Sequence, residues 1–277
     1  MTTILVTGAT GKVGRRLVPH LVSRGHHVRA LVRDLDRAAS LRDPSVELVL
    51  GDLLDDASLV AATRGTQAIV HCAAFFRGAT PDEAHAVNDG GTRRLAAAAR
   101  DAGVERFVFT STGLVYGPKE GRAVDEEAEC SPVDAYPQSK LAAERALFAT
   151  EGLDVRVLRL PFVYGDGDPH IAEVVPFMKT FAPSQRLAIG HHADVAQAVH
   201  LVLETTELRH RVYNVVDDEA PDLAELFATV GEGPPDGSAP ERGRAFDVLL
   251  NGRRIREELG FRPEYARLAD AVAAGSL

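Results

Sequence analysis

A tyrosine and a lysine four residues apart form the pattern in this sequence that most directly indicates catalysis. Tyr136 and Lys140 bracket the run Tyr-Pro-Gln-Ser-Lys, and in a helix their side chains would lie one turn apart on the same face. A phenol ordinarily has a pKa near ~10, too high for ready proton exchange with a substrate hydroxyl at neutral pH. A fixed ammonium nearby favours the phenolate and lowers that pKa. The pair therefore predicts a general acid or base.

A glycine-rich turn near the N-terminus predicts a dinucleotide site. The turn reads Gly8-Ala9-Thr10-Gly11-Lys12-Val13-Gly14, directly after a β-rich run and at the start of an amphipathic stretch. Glycines let the backbone turn sharply and approach a pyrophosphate, which then binds the free N–H groups and dipole of a helix N-terminus. The alternative is a tight turn that serves only helix packing.

The residue after the second β-rich run bears on the choice of cofactor. NAD-binding folds have an acid at the end of this strand that binds the ribose 2′-OH, and this chain has Arg33 just beyond that place. A guanidinium suits a 2′-phosphate, and Lys12 could add a second cation. We therefore predict that NADP(H) is preferred and that NAD(H) is possible. In the alternative, Arg33 is a solvated charge and Asp34 binds the ribose.

Further ligand contacts are predicted at the ends of later strands, because parallel sheets bind ligands at their carboxyl edge. Asp52 and Leu53 are expected to meet the adenine. The small side chains of Cys72, Ala73 and Ala74 would let backbone pass close to the cofactor. Thr112 or Ser111 could hydrogen-bond the substrate oxygen. Ordinary loop and turn-capping roles are the alternatives for all of these residues.

Alternating strand and helix patterns predict the frame that positions these residues. Strand patterns cover 4–7, 28–32, 46–50, 68–72, 106–110, 155–160 and 212–216, and helical patterns cover 11–24, 84–102, 138–150, 195–204, 253–259 and 267–274. The alternation predicts an α/β fold, a doubly wound parallel (Rossmann) sheet with a small C-terminal substrate lobe. We expect a dinucleotide-binding Rossmann domain over 1–165 and a substrate-binding lobe over 166–277, of which about 191–216 returns to pack on the first domain. The Gly- and Pro-rich run 231–243 predicts a loop.

Composition limits the kind of partner. The formal net charge of -9 and the absence of a basic cluster argue against nucleic acid. Cys72 and Cys130 are too few for a disulfide framework, and no set of Cys and His residues has zinc-ligand spacing, so we predict no metal. No apolar run approaches the ~18 residues that span a bilayer. We expect a cytoplasmic homodimer with a small-molecule substrate and no membrane partner.

Together these motifs resemble the extended short-chain dehydrogenase/reductase superfamily, often described as NAD(P)-dependent epimerase/dehydratase-like. The resemblance extends over nearly the whole chain through Asn88 with Gly91-Thr92, Thr110 with Ser111-Thr112, Val115-Tyr116-Gly117, Leu160-Pro161, Val163-Tyr164-Gly165, His192 with Asp194-Val195-Ala196, Tyr213-Asn214-Val215, and Leu259-Gly260-Phe261 with Pro263. It implies the catalytic Ser/Thr position for Thr112, the acid/base role for Tyr136, and for Lys140 both activation of the phenol and a bond to the nicotinamide ribose. It also implies cofactor contacts at Asn88, Thr110, Pro161, Phe162 and Val163, and mainly structural roles for Tyr116, His192 and Asp194.

This resemblance implies an NAD(P)-dependent oxidoreductase that moves a hydride between nicotinamide and a carbonyl or secondary alcohol. One alternative is a sugar-nucleotide epimerase with a retained dinucleotide, and another is a non-catalytic nicotinamide-sensing regulator. Family dehydratases have Asp-Glu directly after the catalytic Thr, whereas Gly113-Leu114 follow here, which disfavours that elimination. The segment 165–190 is short for a lobe that clasps a nucleotide sugar, which favours a smaller substrate.

Overall fold

Strands and helices alternate along the chain, of which the computed structural model describes residues 2–76, 78, 80–238 and 246–277. The first elements are β1 (Thr3–Thr7), α1 (Gly14–Ser23), β2 (His27–Val32), β3 (Val46–Leu50), α2 (Asp56–Thr63), β4 (Ala68–His71), α3 (Pro81–His85), α4 (Thr92–Asp101), β5 (Arg106–Thr112), β6 (Ala123–Val124) and α5 (Ala135–Phe148). They are followed by β7 (Asp154–Leu160), β8 (Phe162–Tyr164), α6 (His170–Met178), β9 (Ile189–His191), α7 (His192–Glu204), β10 (Val212–Asn214), α8 (Leu223–Ala228), β11 (Leu249–Leu250), α9 (Arg253–Leu259) and α10 (Leu268–Ala274). Of the predicted loop 231–243, residues 231–238 form neither helix nor strand, and residues 239–243 lie outside the described residues.

The central sheet has seven strands in the order β10-β7-β5-β4-β1-β2-β3. Its pairs from β3 to β5 are parallel, with β1 between β2 and β4. From β1 the chain moves outward to β3 and then returns to β4 on the other side of β1. This reversal makes the sheet doubly wound, and the predicted fold class is confirmed. In such sheets ligands bind beyond the carboxyl ends of the strands at the reversal point, which here are the ends of β1 and β4.

One compact unit comprises residues 2–111, Asp134–Leu158 and Val199–Val212. Its strands alternate buried apolar side chains toward a core that also receives side chains from α2, α4 and α5. The core includes Leu5, Leu31, Leu59, Ile69, Leu95, Phe107, Phe109, Leu147, Val155 and Val157. Because the strand residues recur at every second position, one face of the sheet packs continuously against helices.

The second compact unit comprises Thr112–Val133, Arg159–Ala198, 213–238 and 246–277. Two small parallel sheets belong to it, β8 with β9 and β6 with β11. Its core includes Phe162, Tyr164, Val174, Val175, Met178, Phe181, Ile189, Leu226, Phe227 and Leu268. Both units draw on separated parts of the chain, and the division into domains at residue 165 stays a prediction.

The predicted strands agree with the observed ones to within two residues at each end. The helix predicted over 84–102 is interrupted, because α3 passes into a π-helical turn at Ala86–Gly91 before α4 begins. Turn chemistry sets other boundaries: α3 begins with a capping box between Thr80 and Glu83, and α1 is followed by Gly25 with a φ of +83°. No helix in the described ranges combines the length and apolar character needed to cross a membrane.

Candidate active site

The glycine turn lies at the carboxyl end of β1, in close contact with the chain that leaves β4. Gly8 has a φ of +65°, and a Cβ built on it would lie 2.5 Å from the backbone nitrogen of Ala73. A Cβ on Gly14 would lie 2.2 Å from the carbonyl oxygen of Gly8. Side chains are therefore excluded at both positions, and backbone can approach a ligand there. The turn leads directly into α1, so a pyrophosphate bound beside it would lie at a helix N-terminus.

Two charged residues follow β2, and they differ in exposure and in hydrogen bonding. Arg33 is exposed. The Asp34 carboxylate accepts hydrogen bonds from the backbone N–H groups of Asp36, at 2.9 Å, and Arg37, at 3.2 Å. These bonds hold the carboxylate against its own turn, which favours Arg33 over Asp34 as the residue available to a bound ribose.

The residues predicted to contact cofactor after β3 and β4 occupy two short loops. The Asp52 carboxylate accepts a hydrogen bond from the Leu54 N–H at 2.8 Å, and Leu53 is buried beside Gly91. Cys72 follows β4 directly, and its N–H donates to the Thr7 carbonyl at 3.2 Å. Burial raises the pKa of the Cys72 thiol to about 11, so the thiol is uncharged at neutral pH. Ala73 and Ala74 continue the same loop beside the glycine turn.

Tyr136 and Lys140 lie on the first turns of α5, as their spacing predicted. Tyr136 is half-buried, and its ring meets Phe76 edge to face with centroids 4.6 Å apart. Lys140 is 1% exposed, and its Nζ lies 3.8 Å from the centroid of the Phe109 ring. In the described part of the chain, neither the Tyr136 hydroxyl nor Lys140 Nζ has a hydrogen-bond partner. Both groups are therefore available to a ligand.

Burial changes the proton affinity of both groups. It raises the pKa of Tyr136 and lowers the pKa of Lys140 to about 7, while the Glu144 carboxylate acts to raise the lysine pKa. Burial therefore disfavours the charged form of both side chains. The predicted lowering of the Tyr136 pKa is accordingly the reverse of the direction found.

The hydroxyl residues at the end of β5 have different partners. Ser111 is buried and donates a hydrogen bond to the buried carboxylate of Glu144. Thr112 accepts a hydrogen bond from the Leu114 N–H at 3.2 Å and donates to no described residue. Ser111, predicted as a possible substrate ligand, is therefore committed to Glu144, whereas Thr112 keeps a proton to donate. Thr110 donates to the His71 carbonyl at 3.2 Å.

Asn88 joins the loop after β4 to α5. It is 1% exposed and lies within the π-helical turn. Its Nδ2 donates to the Phe75 carbonyl and to Ser139 Oγ, both at 3.0 Å, and its Oδ1 accepts from the Phe75 N–H at 2.7 Å. Ser139 in turn donates to the Tyr136 carbonyl at 2.7 Å. We predict Asn88 as a cofactor ligand. In the structure its side-chain amide is hydrogen-bonded to Phe75 and Ser139, next to Tyr136.

A buried histidine that the sequence analysis did not single out connects the glycine turn to the same network. Thr92 donates its hydroxyl proton to the Asn88 carbonyl at 2.5 Å, so it accepts from His71 Nε2–H at 2.8 Å. His71 Nδ1 then accepts from the Thr7 hydroxyl at 2.5 Å, and that hydroxyl accepts from the Ala73 N–H at 3.3 Å. Burial lowers the pKa of His71 well below its usual value, which keeps the ring neutral. No sequence motif links these residues.

The predicted nicotinamide contacts Pro161, Phe162 and Val163 lie in the second unit, at the start of β8. The Phe162 ring stacks on the His170 ring with centroids 4.1 Å apart, and His170 Nδ1 donates to the Val163 carbonyl at 2.9 Å. Pro161 packs beside Gly190, where a Cβ would lie 2.9 Å from Pro161 Cγ. Phe162 and Val163 are mostly buried, and Pro161 is half-buried.

Three polar residues with predicted structural roles form buried contacts in the same unit. The Tyr116 hydroxyl donates to Asn214 Oδ1 at 2.8 Å, and His192 Nε2 lies 2.8 Å from the Asp168 carboxylate. The Asp194 carboxylate accepts two backbone N–H groups, those of residues 264 and 265, at 2.6 and 3.2 Å. All three are less than a tenth exposed, and their contacts lie within this unit.

Comparisons with known proteins agree with the motifs and the fold. Sterol demethylase protein B of Methylococcus capsulatus is 38% identical over 173 residues, which cover 60% of this chain and 53% of that protein. The chain spans about half the length of the first curated relatives it matches. UDP-glucose 4-epimerase of Streptomyces lividans is 30% identical over 309 residues, which cover 96% of this chain and 92% of that protein.

Solved structures share the fold over almost the full length. The structure of MoeE5 in complex with UDP-glucuronic acid and NAD has a TM-score of 0.82 and 28% identity, covering 98% of this chain and 96% of that one. A family model matches residues 4–215, which is well over half of the chain. The chain belongs to the NAD dependent epimerase/dehydratase family.

Proposed function

We propose that this protein is an NAD(P)-dependent oxidoreductase that interconverts a carbonyl group and a secondary alcohol on a small molecule. One observation carries the proposal: the Tyr136 hydroxyl and Lys140 Nζ, on one face of α5, have no hydrogen-bond partner among the described residues. A lysine ammonium at 1% exposure without such a partner is costly unless a ligand completes its contacts. The pair is therefore suited to a bound ribose and substrate.

The residues of the first unit fit a dinucleotide. Gly8, Gly11 and Gly14 would hold the pyrophosphate, because no side chain can occupy the space at Gly8 and Gly14. Lys140 would hydrogen-bond the nicotinamide ribose. When bound, the nicotinamide supplies or accepts the hydride. The MoeE5 structure, which contains NAD, supports this assignment.

In this proposal Tyr136 gives its proton to the substrate oxygen during reduction and takes it back during oxidation. The pKa of Lys140, lowered to about 7 by burial, allows this side chain to exchange a proton near neutral pH and so to reprotonate the phenol. Thr112, whose hydroxyl proton has no acceptor among the described residues, would donate to the substrate oxygen. Asn88 would position Tyr136 through Ser139 rather than contact the substrate.

Preference for NADP(H) is part of the proposal. Arg33 is exposed directly after β2, and the neighbouring Asp34 carboxylate is engaged with its own turn. A 2′-phosphate would therefore meet a guanidinium rather than a carboxylate. The structure of MoeE5 contains NAD, so NAD(H) also stays a candidate cofactor. The homodimer and the cytoplasmic setting remain predictions.

The chain between β8 and β9 supports a substrate smaller than a nucleotide sugar. Residues 165–188, all described, contain α6 of nine residues as their one helix. A sugar-nucleotide epimerase is the second candidate, because the Streptomyces lividans epimerase matches 96% of this chain. An epimerase must keep its dinucleotide through turnover, whereas a reductase exchanges it.

The experiment is a nucleotide and hydride-transfer assay on the purified chain. We expect NADP(H) to exchange readily and Tyr136→Phe to lower single-turnover hydride transfer to a confirmed substrate about 10²–10⁴-fold, while cofactor affinity changes little. Tightly retained NAD would favour the epimerase. If Tyr136→Phe transferred hydride at the parent rate, the catalytic assignment would be wrong and the non-catalytic regulator would be favoured.

A further inference from the structure

Three metal-ligating side chains meet at the amino edge of the sheet, opposite the carboxyl edge that carries the candidate active site. His26 directly precedes β2, and His200 and Glu204 lie one turn apart at the end of α7. We call these three residues the amino-edge cluster. One ligand atom from each lies within 4.8 Å of the other two, and His26 Nε2 lies 3.6 Å from Glu204 Oε1. All three belong to the first compact unit.

An independent observation points to a ligand at the amino-edge cluster. His26 is 8% exposed, and both of its ring nitrogens are buried without a hydrogen-bond partner within the described ranges. His200 Nδ1 is likewise buried and unpartnered. Buried imidazole nitrogens ordinarily have partners, because desolvation without compensation is unfavourable. The 3.6 Å contact with Glu204 is too long to be a hydrogen bond and does not satisfy His26.

We propose that the amino-edge cluster binds a divalent transition metal, with Zn²⁺ as the natural occupant. Two imidazoles and one carboxylate are a common donor set for zinc, with water completing a tetrahedron. Bonds of about 2.0–2.1 Å place neighbouring ligand atoms roughly 3.3–3.4 Å apart, so the His26 to Glu204 separation of 3.6 Å needs little adjustment. The remaining ligand atoms must close from at most 4.8 Å. Glu204 is more than half exposed and is free to make that movement.

Arg24 opposes metal binding at this site, so replacing it should raise the affinity for metal. Its Nη1 lies 3.2 Å from His200 Nε2, and a guanidinium always donates, so that nitrogen accepts. If the metal binds Nε2, Arg24 must leave. If it binds Nδ1, Nε2 carries the hydrogen and can no longer accept from Arg24. Arg24 is exposed and can turn into solvent, but its charge disfavours a cation in either case.

A bound metal would connect the start of β2 to the end of α7. The sequence predicts no metal, because no set of Cys and His residues has zinc-ligand spacing, and His26 lies far along the chain from His200 and Glu204. Folding alone brings them together. The site lies away from Tyr136 and Lys140, so its effect is expected on stability rather than on hydride transfer.

The test is zinc binding to the full chain, freed of any affinity tag and stripped of metal. Zn²⁺ alone is titrated against a chromophoric chelator, and Co²⁺ is added separately to observe the absorption of a tetrahedral site. We expect one equivalent of zinc and a Tm raised by about 5 °C at a hundred times Kd. His200→Gln and Glu204→Gln should each lower zinc affinity more than about tenfold. Arg24→Gln should raise it.

His85→Gln is the matched control, because His85 is exposed and lies outside the cluster. It should leave zinc affinity unchanged. Glu204→Gln keeps the test decisive if a histidine variant fails to fold, since the Glu204 side chain is 55% exposed. Less than stoichiometric binding, equal losses in His85→Gln and Glu204→Gln, or an anomalous zinc peak elsewhere in a soaked crystal would each overturn the proposal.

Discussion

Glu144 follows Lys140 by one turn of α5, and the two side chains are 2% and 1% exposed. The Glu144 carboxylate accepts a hydrogen bond from Ser111, which fixes it at the end of β5. Its negative charge acts to raise the pKa of Lys140, against the larger effect of burial. Glu144 is thus placed to adjust the charge of Lys140 without contacting a substrate itself.

Replacing Glu144 with glutamine should shift the pH dependence of catalysis. Without the carboxylate, the pKa of Lys140 falls further below about 7. A shift of about one unit corresponds to ~1.4 kcal/mol of lost interaction. We expect the limb of the kcat/KM profile that reports the ionisation of Lys140 to move to lower pH by about one unit. The Ser111 hydrogen bond can persist, because an amide oxygen also accepts. Glu151→Gln, at an exposed site just after α5, is the control, and identical profiles for both variants would contradict the role.

Local patterns in the sequence accounted for the sheet, the glycine turn and the Tyr136/Lys140 pair. Each depends on spacing within a few residues, such as the period of a strand or one helical turn. The Ser111 to Glu144 and Asn88 to Ser139 contacts join residues 33 and 51 positions apart and depend on the fold. Local spacing carries no information about such pairs.

Two further features were missed in the sequence analysis because they depend on the fold rather than on local spacing. The segment 84–102 is helical at both ends, but Asn88 bonds to Phe75 and Ser139 within a wider turn between them. The direction of the Tyr136 pKa shift depends on its desolvation, which only packing beside Phe76 and the rest of the fold determines. The family resemblance predicts roles for these residues, but burial in the fold determines their pKa values.

Arg33→Ala should remove most of the expected preference for NADPH. A charge-assisted hydrogen bond to the 2′-phosphate contributes about 1.5–3 kcal/mol, so NADPH affinity should fall roughly ten- to a hundredfold while NADH affinity changes little. Fluorescence titration of both cofactors measures this. Arg42→Ala tests whether any nearby positive charge has the same effect, because Arg42 is also exposed. Equal affinities for the two cofactors in the parent chain would show that Arg33 does not select the phosphate.

Gly14→Ala should impair dinucleotide binding with little loss of secondary structure. The new Cβ would lie 2.2 Å from the Gly8 carbonyl oxygen, a backbone atom that cannot move without distorting the turn. Overpacking of this kind costs about 1–3 kcal/mol, and if the turn moves out of its binding geometry to relieve it, cofactor affinity should fall roughly five- to 150-fold. Gly233→Ala is the control, because nothing lies within 4 Å of a Cβ at that position. Unchanged affinity in Gly14→Ala, with circular dichroism matching the parent, would mean that the turn does not hold the pyrophosphate.

Lys140 should also affect stability in a way that depends on pH. Its pKa is about 7 in the folded chain, against 10.5 for an ordinary lysine. Between these values the unfolded chain binds more protons than the folded one, so stability contributed by this site rises with pH. Below the folded pKa the full penalty for burying the ammonium is present, and above the unfolded pKa it is absent.

Lys140→Met lacks this titration and should therefore be most stabilised, relative to the parent, at the acidic end of the range. Its advantage should shrink by up to about 1.4 kcal/mol per pH unit as pH rises from about 7 toward about 10. Urea unfolding of both proteins across that range gives the difference directly, because other titrating groups largely cancel. Lys179→Met, whose parent side chain is 57% exposed, should give a difference that is nearly independent of pH. If the Lys140→Met and parent curves ran parallel throughout, Lys140 would not carry the lowered pKa on which its proposed proton exchange with Tyr136 depends.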